Sequence, residues 1–223
     1  MDADSAVRLA YQVSGPPGAP PMVLLHGLGE RGASWGPVLG ALAVRFRVYA
    51  LDLRGHGDSD WPGSYSFELM AGDVASLLDR LGLGAVTLVG HSMGGAVAYR
   101  VAMSRPDLVG RLIVEDAPPA LRRALVIPER PDGPLDFDWP AVVAIHTQLS
   151  QGDPAAWAGL RSITAPALLI GGGPDSHVPQ DKLTETAALI PRCDLVTIPA
   201  GHYVHTARPG EFADVVLGWL AIA

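Results

Sequence analysis

Short, uninterrupted apolar runs alternate with longer amphipathic stretches along this chain. Six such runs are bounded by turn-forming residues, at 22–27, 47–53, 85–92, 111–117, 166–173 and 194–202. Continuous apolar runs are typical of strands in a sheet that is covered on both faces, because a half-exposed strand would alternate polar and apolar residues. Helical patterns lie between them, at 34–43, 67–82, 94–104, 180–190 and 210–222. The alternation predicts an α/β fold with a doubly wound, mostly parallel sheet. With one further edge strand at 8–15, the sheet has about seven strands.

Residues 118–160 interrupt this alternation of predicted strands and helices. The segment contains no strand pattern, and its middle is rich in Pro, Gly and Asp. Asp138 with Pro140 and Asp153 with Pro154 predict two short helices, because Asp is favoured at the N-cap and Pro in the first turn. We expect an insertion after the 111–117 strand that forms a short helical lid over the carboxyl edge of the sheet. The chain, residues 1–223, is then a single domain.

Composition excludes several classes of function. The net charge of −7 argues against nucleic acid or an anionic membrane as partner, since both require clustered Lys and Arg. The single cysteine, Cys193, excludes an internal disulfide, and the seven histidines lack metal-ligand spacing. No secretory signal pattern or long uncharged apolar stretch is present in the sequence. We therefore expect a cytoplasmic monomer or homodimer that acts on a small molecule without a cofactor or metal.

The segment "LVGHSMGGAV", residues 88–97, carries one serine between glycines at the end of an apolar strand. Ser92 follows Gly90 by two residues and precedes Gly94 by two, which is the G-x-S-x-G pattern. One interpretation is a turn whose glycines only allow close packing of a helix on a strand. Alternatively, it is a nucleophile elbow, in which a strained turn exposes the serine hydroxyl above the sheet.

Other predicted strands are also followed by residues of the types that take part in catalysis. Asp175 follows the 166–173 strand, and His202 closes the 194–202 strand. A serine hydroxyl needs a neighbouring base to become nucleophilic, and histidine has a suitable pKa. A carboxylate then orients the imidazole and stabilises its protonated form. Carboxyl ends of parallel strands share one edge of the sheet, so we expect Ser92, Asp175 and His202 to converge there.

Some of these choices have rivals in the sequence. Asp116 and, more weakly, Glu115 end the 111–117 strand and compete with Asp175 as the acid. His205 competes with His202 as the base, whereas His177 is too close to Asp175 in the chain to be a good candidate.

Five motifs occur in the order typical of one family: "LLHGLG", "LDLRGHGDSD", "VGHSMGG", "PDSHVP" and "AGHYVHTARPGEF". Over nearly its whole length the chain resembles the serine-triad branch of the α/β-hydrolase superfamily, which includes esterases, lipases and thioesterases. The resemblance implies Ser92 as nucleophile, Asp175 as acid and His202 as base. It also implies an oxyanion hole formed by the backbone N–H groups of Leu28 and Met93. Family members often have two strands before the "HG" strand, and this sequence leaves room for one. The insertion is also shorter than many family lids.

Residues around these motifs are candidates for the substrate pocket. His26 and His91 flank the expected oxyanion donors, where they brace backbone turns or contact substrate. From the insertion we select Trp139, Ile145 and Leu149 as pocket residues.

These observations predict a serine hydrolase that cleaves a carboxylic ester, lactone or thioester of a small apolar molecule through an acyl-enzyme. An alternative is a lyase, C–C hydrolase or cyclising or condensing enzyme with the same triad, and a further one is a non-catalytic ligand-binding protein. Epoxide hydrolases and haloalkane dehalogenases of this fold use an aspartate nucleophile, and serine stands at that position here.

Overall fold

Seven strands form one sheet in the structure, a computed structural model that describes residues 7–222. The strands are β1 (Tyr11–Ser14), β2 (Pro21–Leu25), β3 (Arg47–Leu51), β4 (Val86–His91), β5 (Val109–Glu115), β6 (Ala167–Gly171) and β7 (Cys193–Thr197). Their spatial order is β1-β3-β2-β4-β5-β6-β7, and all neighbours are parallel except β1 and β3. The predicted α/β class and mostly parallel sheet are confirmed, including the edge strand within 8–15.

The helices lie between the strands as the periodicity predicts. They are α1 (Gly36–Ala43), α2 (Phe67–Leu81), α3 (Met93–Ser104), α4 (Trp139–Gln151), α5 (Pro154–Gly159), α6 (Gln180–Leu189), α7 (Val204–Ala207) and α8 (Pro209–Ile222). The helix α7 was not predicted, because four residues are too few to show a helical period. Within residues 7–222, no helix is both long and apolar enough to cross a bilayer.

Alternate residues of the central strands enter two separate cores. In β4, Leu88 packs on the face covered by α2 and α3, whereas its neighbour Val89 packs on the face covered by α1 and α8. Leu112 and Ile113 of β5 divide in the same way. The alternation of side chains along a strand produces this division, and it explains why the strands are apolar throughout.

The ends of α2 follow from its sequence. The Oγ of Ser66 accepts a hydrogen bond from the N–H of Leu69, at 3.1 Å, which satisfies one of the free donors of the first turn. Gly82 ends the helix with a φ of 64°, a left-handed conformation that glycine adopts without steric cost.

The insertion, residues 118–160, contains α4 and α5 where the two Asp–Pro signals predict helices. Asp153 caps α5, because its carboxylate accepts from the N–H of Ala156 at 2.8 Å. Asp138 precedes α4 without capping it; its carboxylate accepts from the hydroxyl of Tyr65 instead, at 2.5 Å. That bond ties the start of α4 to the loop that precedes α2.

Candidate active site

The turn between β4 and α3 places Ser92 in a strained conformation, with φ 52° and ψ −115°. Its two glycines are required by sterics. A Cβ at Gly90 would lie 2.3 Å from the carbonyl oxygen of Gly94, and a Cβ at Gly94 would lie 2.3 Å from that of Leu25. Because non-glycine residues with positive φ are uncommon and cluster at functional sites, this geometry favours a nucleophile elbow over a packing turn.

Ser92 faces a cavity of about 490 Å³ at the carboxyl edge of the sheet. Leu28, Met93 and His202 also line this cavity, together with residues of the insertion. The structure therefore brings the predicted nucleophile, base and oxyanion residues to one place. His205, the rival base, is fully buried and does not line the cavity.

The carboxylate beside His202 is that of Asp116, which corrects the sequence-based choice of Asp175. The Nδ1 atom of His202 lies 2.7 Å from Oδ2 of Asp116, and the Asp116 side chain is completely buried. Asp175 is exposed and does not line the cavity. The turn after β6 directs Ser176 inward instead, and its hydroxyl donates to Asp116.

Four donors hold the Asp116 carboxylate. His202 and Ser176 donate to Oδ2, while the N–H of Gly172 and the amide of Gln180 donate to Oδ1 at 2.9 and 3.0 Å. Burial acts to raise the pKa of Asp116, but these hydrogen bonds outweigh burial and lower the pKa below its ordinary value of 3.8. The carboxylate is therefore ionised at neutral pH, in the form that orients and stabilises an imidazolium.

The "HGLG" turn leaves one backbone donor free beside the serine. The N–H of Gly27 donates to Glu30 at 2.8 Å, and that of Gly29 donates to Nε2 of His56 at 3.2 Å. Within residues 7–222, no protein group accepts from the N–H of Leu28. Met93 is the first residue of α3, where backbone N–H groups have no intrahelical acceptor. The two residues can thus supply donors for an oxyanion.

His26 braces the "HGLG" turn, the proposed oxyanion turn, and does not line the cavity, which corrects its selection as a pocket residue. Its Nδ1 donates to the carbonyl of Gly27 at 2.7 Å, and its Nε2 accepts from the N–H of Leu53 at 2.9 Å. Burial, followed by the nearby His56, lowers the pKa of His26 to about 3. A neutral ring that donates from one nitrogen and accepts at the other satisfies both partners.

His91 lies against the loop that carries the base. Its Nε2 is 3.0 Å from the carbonyl oxygen of His202, and its Nδ1 is 3.3 Å from Oε2 of Glu30. Both partners are acceptors, so a ring that carries hydrogen on both nitrogens satisfies both of them. Burial acts to lower the pKa of His91, but Glu115 and Glu30 outweigh it and the pKa is raised.

Sequence reasoning did not identify Glu30, Ser176 or Gln180 as parts of the site. Glu30 follows the "HGLG" motif directly, and its carboxylate binds both Gly27 and His91. Burial acts to raise its pKa, but the hydrogen bond and charge of His91 outweigh it and lower the pKa to about 2. The position of Glu30 next to a motif was the only signal of its role in the sequence.

A second histidine–carboxylate pair lies behind the site. Glu115 accepts from the backbone N–H of His205 at 2.9 Å and from its Nδ1 at 2.8 Å, and both side chains are fully buried. The His205 ring packs on Trp35, with ring centroids 4.3 Å apart. Glu115, the weaker rival acid, thus binds His205 and not His202.

The insertion contributes Ile145, His146 and Leu149 to the cavity wall, all from α4. Trp139, at the start of the same helix, does not line the cavity, which corrects its selection. Residues 145, 146 and 149 are spaced so that they share one face of the helix, and Trp139 lies more than one turn before it.

Known proteins resemble this chain in sequence and structure. A family model described as alpha/beta hydrolase fold matches residues 20–134. The mouse (Mus musculus) protein named sn-1-specific diacylglycerol lipase ABHD11 is 32% identical over 249 residues, which cover 91% of this chain and 81% of the mouse protein. Epoxide hydrolase 4 of Mus musculus is 40% identical over 118 residues, 52% of this chain and 33% of that protein.

A solved structure aligns over nearly the whole length. It is a thermophilic esterase from Thermogutta terrifontis, with 25% identity and a TM-score of 0.83, and the alignment covers 99% of this chain and 96% of the esterase.

Proposed function

This chain belongs to the α/β-hydrolase fold family, and from that premise we propose that it is a serine hydrolase. It cleaves a carboxylic ester, lactone or thioester of a small, mostly apolar substrate through an acyl-enzyme on Ser92. The single observation that carries the proposal is the bond between His202 and the ionised, buried Asp116 in the cavity that Ser92 faces.

The two nitrogens of His202 have different roles in the proposed reaction. Because Nδ1 is bound to Asp116, Nε2 is the nitrogen that takes the proton of the Ser92 hydroxyl. The serine oxygen attacks the substrate carbonyl, and the N–H groups of Leu28 and Met93 stabilise the oxyanion that forms. The imidazolium then protonates the leaving alcohol or thiol as the carbonyl–oxygen or carbonyl–sulfur bond breaks.

The second half of the reaction uses the same groups. Nε2 of His202 takes a proton from water, whose oxygen attacks the acyl carbon. When the tetrahedral intermediate collapses, the bond to Ser92 breaks, the proton returns to the serine oxygen, and the acid leaves. The insertion acts as the lid, since α4 supplies apolar wall to the cavity above the serine.

The names of the relatives support the reaction class. The lipase and the esterase are ester-cleaving proteins by name, and they align with most of this chain. The aligned epoxide hydrolase covers about half of it. Serine at position 92 favours acyl transfer over epoxide opening, because epoxide hydrolases of this fold use an aspartate nucleophile.

Labelling with a fluorophosphonate tests the proposal, because this reagent reacts only with an activated serine. We expect one adduct, on the peptide that contains Ser92, and none in Ser92→Ala. Ser162→Ala is the matched control: its hydroxyl donates to a carbonyl outside the cavity, so labelling should be unchanged.

A panel of esters, lactones and thioesters then measures turnover. Absence of labelling would reject the proposal, whereas labelling without turnover on the panel would favour the lyase or C–C hydrolase alternative.

A further inference from the structure

The cavity carries positive charge, although the chain as a whole has a net charge of −7. Among the described Asp, Glu, Arg and Lys residues, only Asp116, Arg122 and Arg123 line it. The Asp116 carboxylate is bound by His202, Ser176, Gly172 and Gln180, and it forms no ion pair with either arginine within residues 7–222. Within residues 7–222, neither Arg122 nor Arg123 forms a salt bridge. Two arginines that line the cavity are therefore without a carboxylate partner in the described part of the chain.

The backbone that carries these arginines is fixed to the helices of the insertion. The N–H of Arg123 donates to the carbonyl of Ser150 at 3.0 Å. The carbonyl of Ala120 accepts from the N–H of Asp153 at 3.0 Å and from the indole of Trp157 at 3.2 Å. Three anchors over four residues hold the segment against α4 and α5, so the exposed arginine side chains extend from a positioned backbone.

The position of Gly152 shows how closely this segment packs. A Cβ at Gly152 would lie 2.8 Å from the backbone nitrogen of Arg122, and the glycine has a φ of 73° that other residues rarely adopt. The turn between α4 and α5 thus requires glycine in order to approach the arginine segment.

The charge of Arg123 acts on two histidines of the cavity wall. Burial and then Arg123 lower the pKa of His146, on α4. Burial, His202 and Arg123 all act to lower the pKa of His177, in the turn after β6. The rings of His177 and His202 are 4.2 Å apart between centroids. The charge of Arg123 therefore acts on the same cavity wall as His202.

We propose that Arg122 and Arg123 bind a carboxylate on the substrate, so that the preferred substrates are small esters whose acyl chain ends in a carboxylate. This inference rests on the proposed function and specifies its substrate class. Arginine presents paired N–H donors that match the two oxygens of a carboxylate. A cavity of about 490 Å³ has the size of a small-molecule site. The apolar wall from Ile145 and Leu149 accommodates the methylene chain between the ester and the carboxylate.

Two matched substrates test the proposal. One is the mono-para-nitrophenyl ester of adipic acid, and the other is the same ester with its free carboxylate converted to a primary amide. They have nearly the same shape and differ in charge. The quantity measured is the ratio of kcat/KM for the carboxylate to kcat/KM for the amide, after subtraction of the uncatalysed rate. We expect a ratio above one for the wild type, and a loss of about tenfold in Arg122→Ala/Arg123→Ala.

Arg130→Ala is the matched control, because Arg130 is an exposed arginine of the same insertion that does not line the cavity. Its ratio should equal that of the wild type. Arg122→Lys/Arg123→Lys keeps the charge without the paired donors and should retain part of the preference. Equal ratios in the wild type and the double Ala variant, with both esters hydrolysed, would overturn the inference and leave the proposed function standing.

A binding measurement keeps the inference testable if no ester is hydrolysed. Calorimetry compares adipate with adipamide on Ser92→Ala, and on the same protein with Arg122→Ala/Arg123→Ala. Tighter binding of adipate that weakens about tenfold without the arginines supports the site. Undetectable or unchanged adipate binding overturns it. Failure of the proposed function itself is recognised separately, by the absence of fluorophosphonate labelling in the wild type.

Discussion

The Nε2–H of His91 donates to the carbonyl oxygen of His202 over 3.0 Å. On its other side His91 contacts Glu30, which also binds the N–H of Gly27 in the oxyanion turn. A chain of hydrogen bonds therefore joins the turn that holds one oxyanion donor to the backbone of the proposed base. Misplacement of a catalytic group by about 1 Å is costly, so in the proposed reaction these hydrogen bonds would act by holding His202 in position.

Asp116→Asn should lower kcat/KM on an ester substrate by roughly four orders of magnitude, because an amide no longer holds the correct tautomer of His202. Asp175→Asn is the control, since Asp175 is exposed and outside the cavity, and it should remain within about twofold of the wild type. Initial rates with para-nitrophenyl butyrate measure both. The reverse pattern, an active Asp116→Asn with an inactive Asp175→Asn, would restore Asp175 as the acid.

Glu30 should make stability depend on acid pH. Its pKa of about 2, against an ordinary value of 4.5, corresponds to about 3 kcal/mol of folding free energy when the carboxylate is ionised. A lowered pKa contributes stability that is present above the unfolded-state pKa and is lost as the pH falls toward the folded-state pKa. Urea unfolding between pH 6 and about pH 3 should show the wild type losing more stability than Glu30→Gln. Parallel curves for the two proteins would show that Glu30 is not the titrating group.

Gly94→Ala should destabilise the protein by about 1–3 kcal/mol or more, because the new Cβ would lie 2.3 Å from the carbonyl oxygen of Leu25. Gly72→Ala is the matched control on α2. Nothing lies within 4 Å of its added Cβ, and alanine should stabilise the helix by about 1 kcal/mol. Denaturant midpoints measure both variants, and opposite signs are the expected result. Equal stability of Gly94→Ala and the wild type would mean that α3 moves freely away from β2.

Glu115→Ala and His205→Ala should each cost about 3 kcal/mol or more, since each leaves a fully buried polar partner unpaired. The double variant should be less destabilised than the sum of the two, because the second change removes the orphaned group. Glu68→Ala is the comparison for an ion pair whose carboxylate is exposed, with Arg100, and it should cost about 1 kcal/mol or less. Strict additivity at Glu115 and His205 would contradict their direct coupling.

The architecture was predictable because each central strand is covered on both faces. Leu88 and Val89 serve different cores, so the strand must be apolar at every position and its pattern is unambiguous. Ser92 and His202 line one cavity, as predicted, because their motifs follow strands and parallel strands bring their carboxyl ends together. The sequence pattern did not predict α7, because this helix is a single turn and shows no helical period.

The acid could not be chosen from sequence alone, for a geometric reason. The strands β5 and β6 are neighbours, so a carboxylate after either one ends near the base. The choice depends on backbone torsions: Asp116 has a φ of 48°, and the turn after β6 directs Ser176 toward it. Likewise, His26 and Trp139 are residue types that are common in substrate pockets, but neither lines the cavity. Their spacing in the sequence does not predict where these side chains lie.

The link through Glu30 has a consequence for anyone who redesigns this pocket. Residues of the oxyanion turn and the loop at His202 lie far apart in sequence, yet they share one ionised bridge. Libraries that vary either loop alone would sample combinations in which the other is mismatched, so productive variants should be sought by randomising both loops together while Glu30 and His91 are retained.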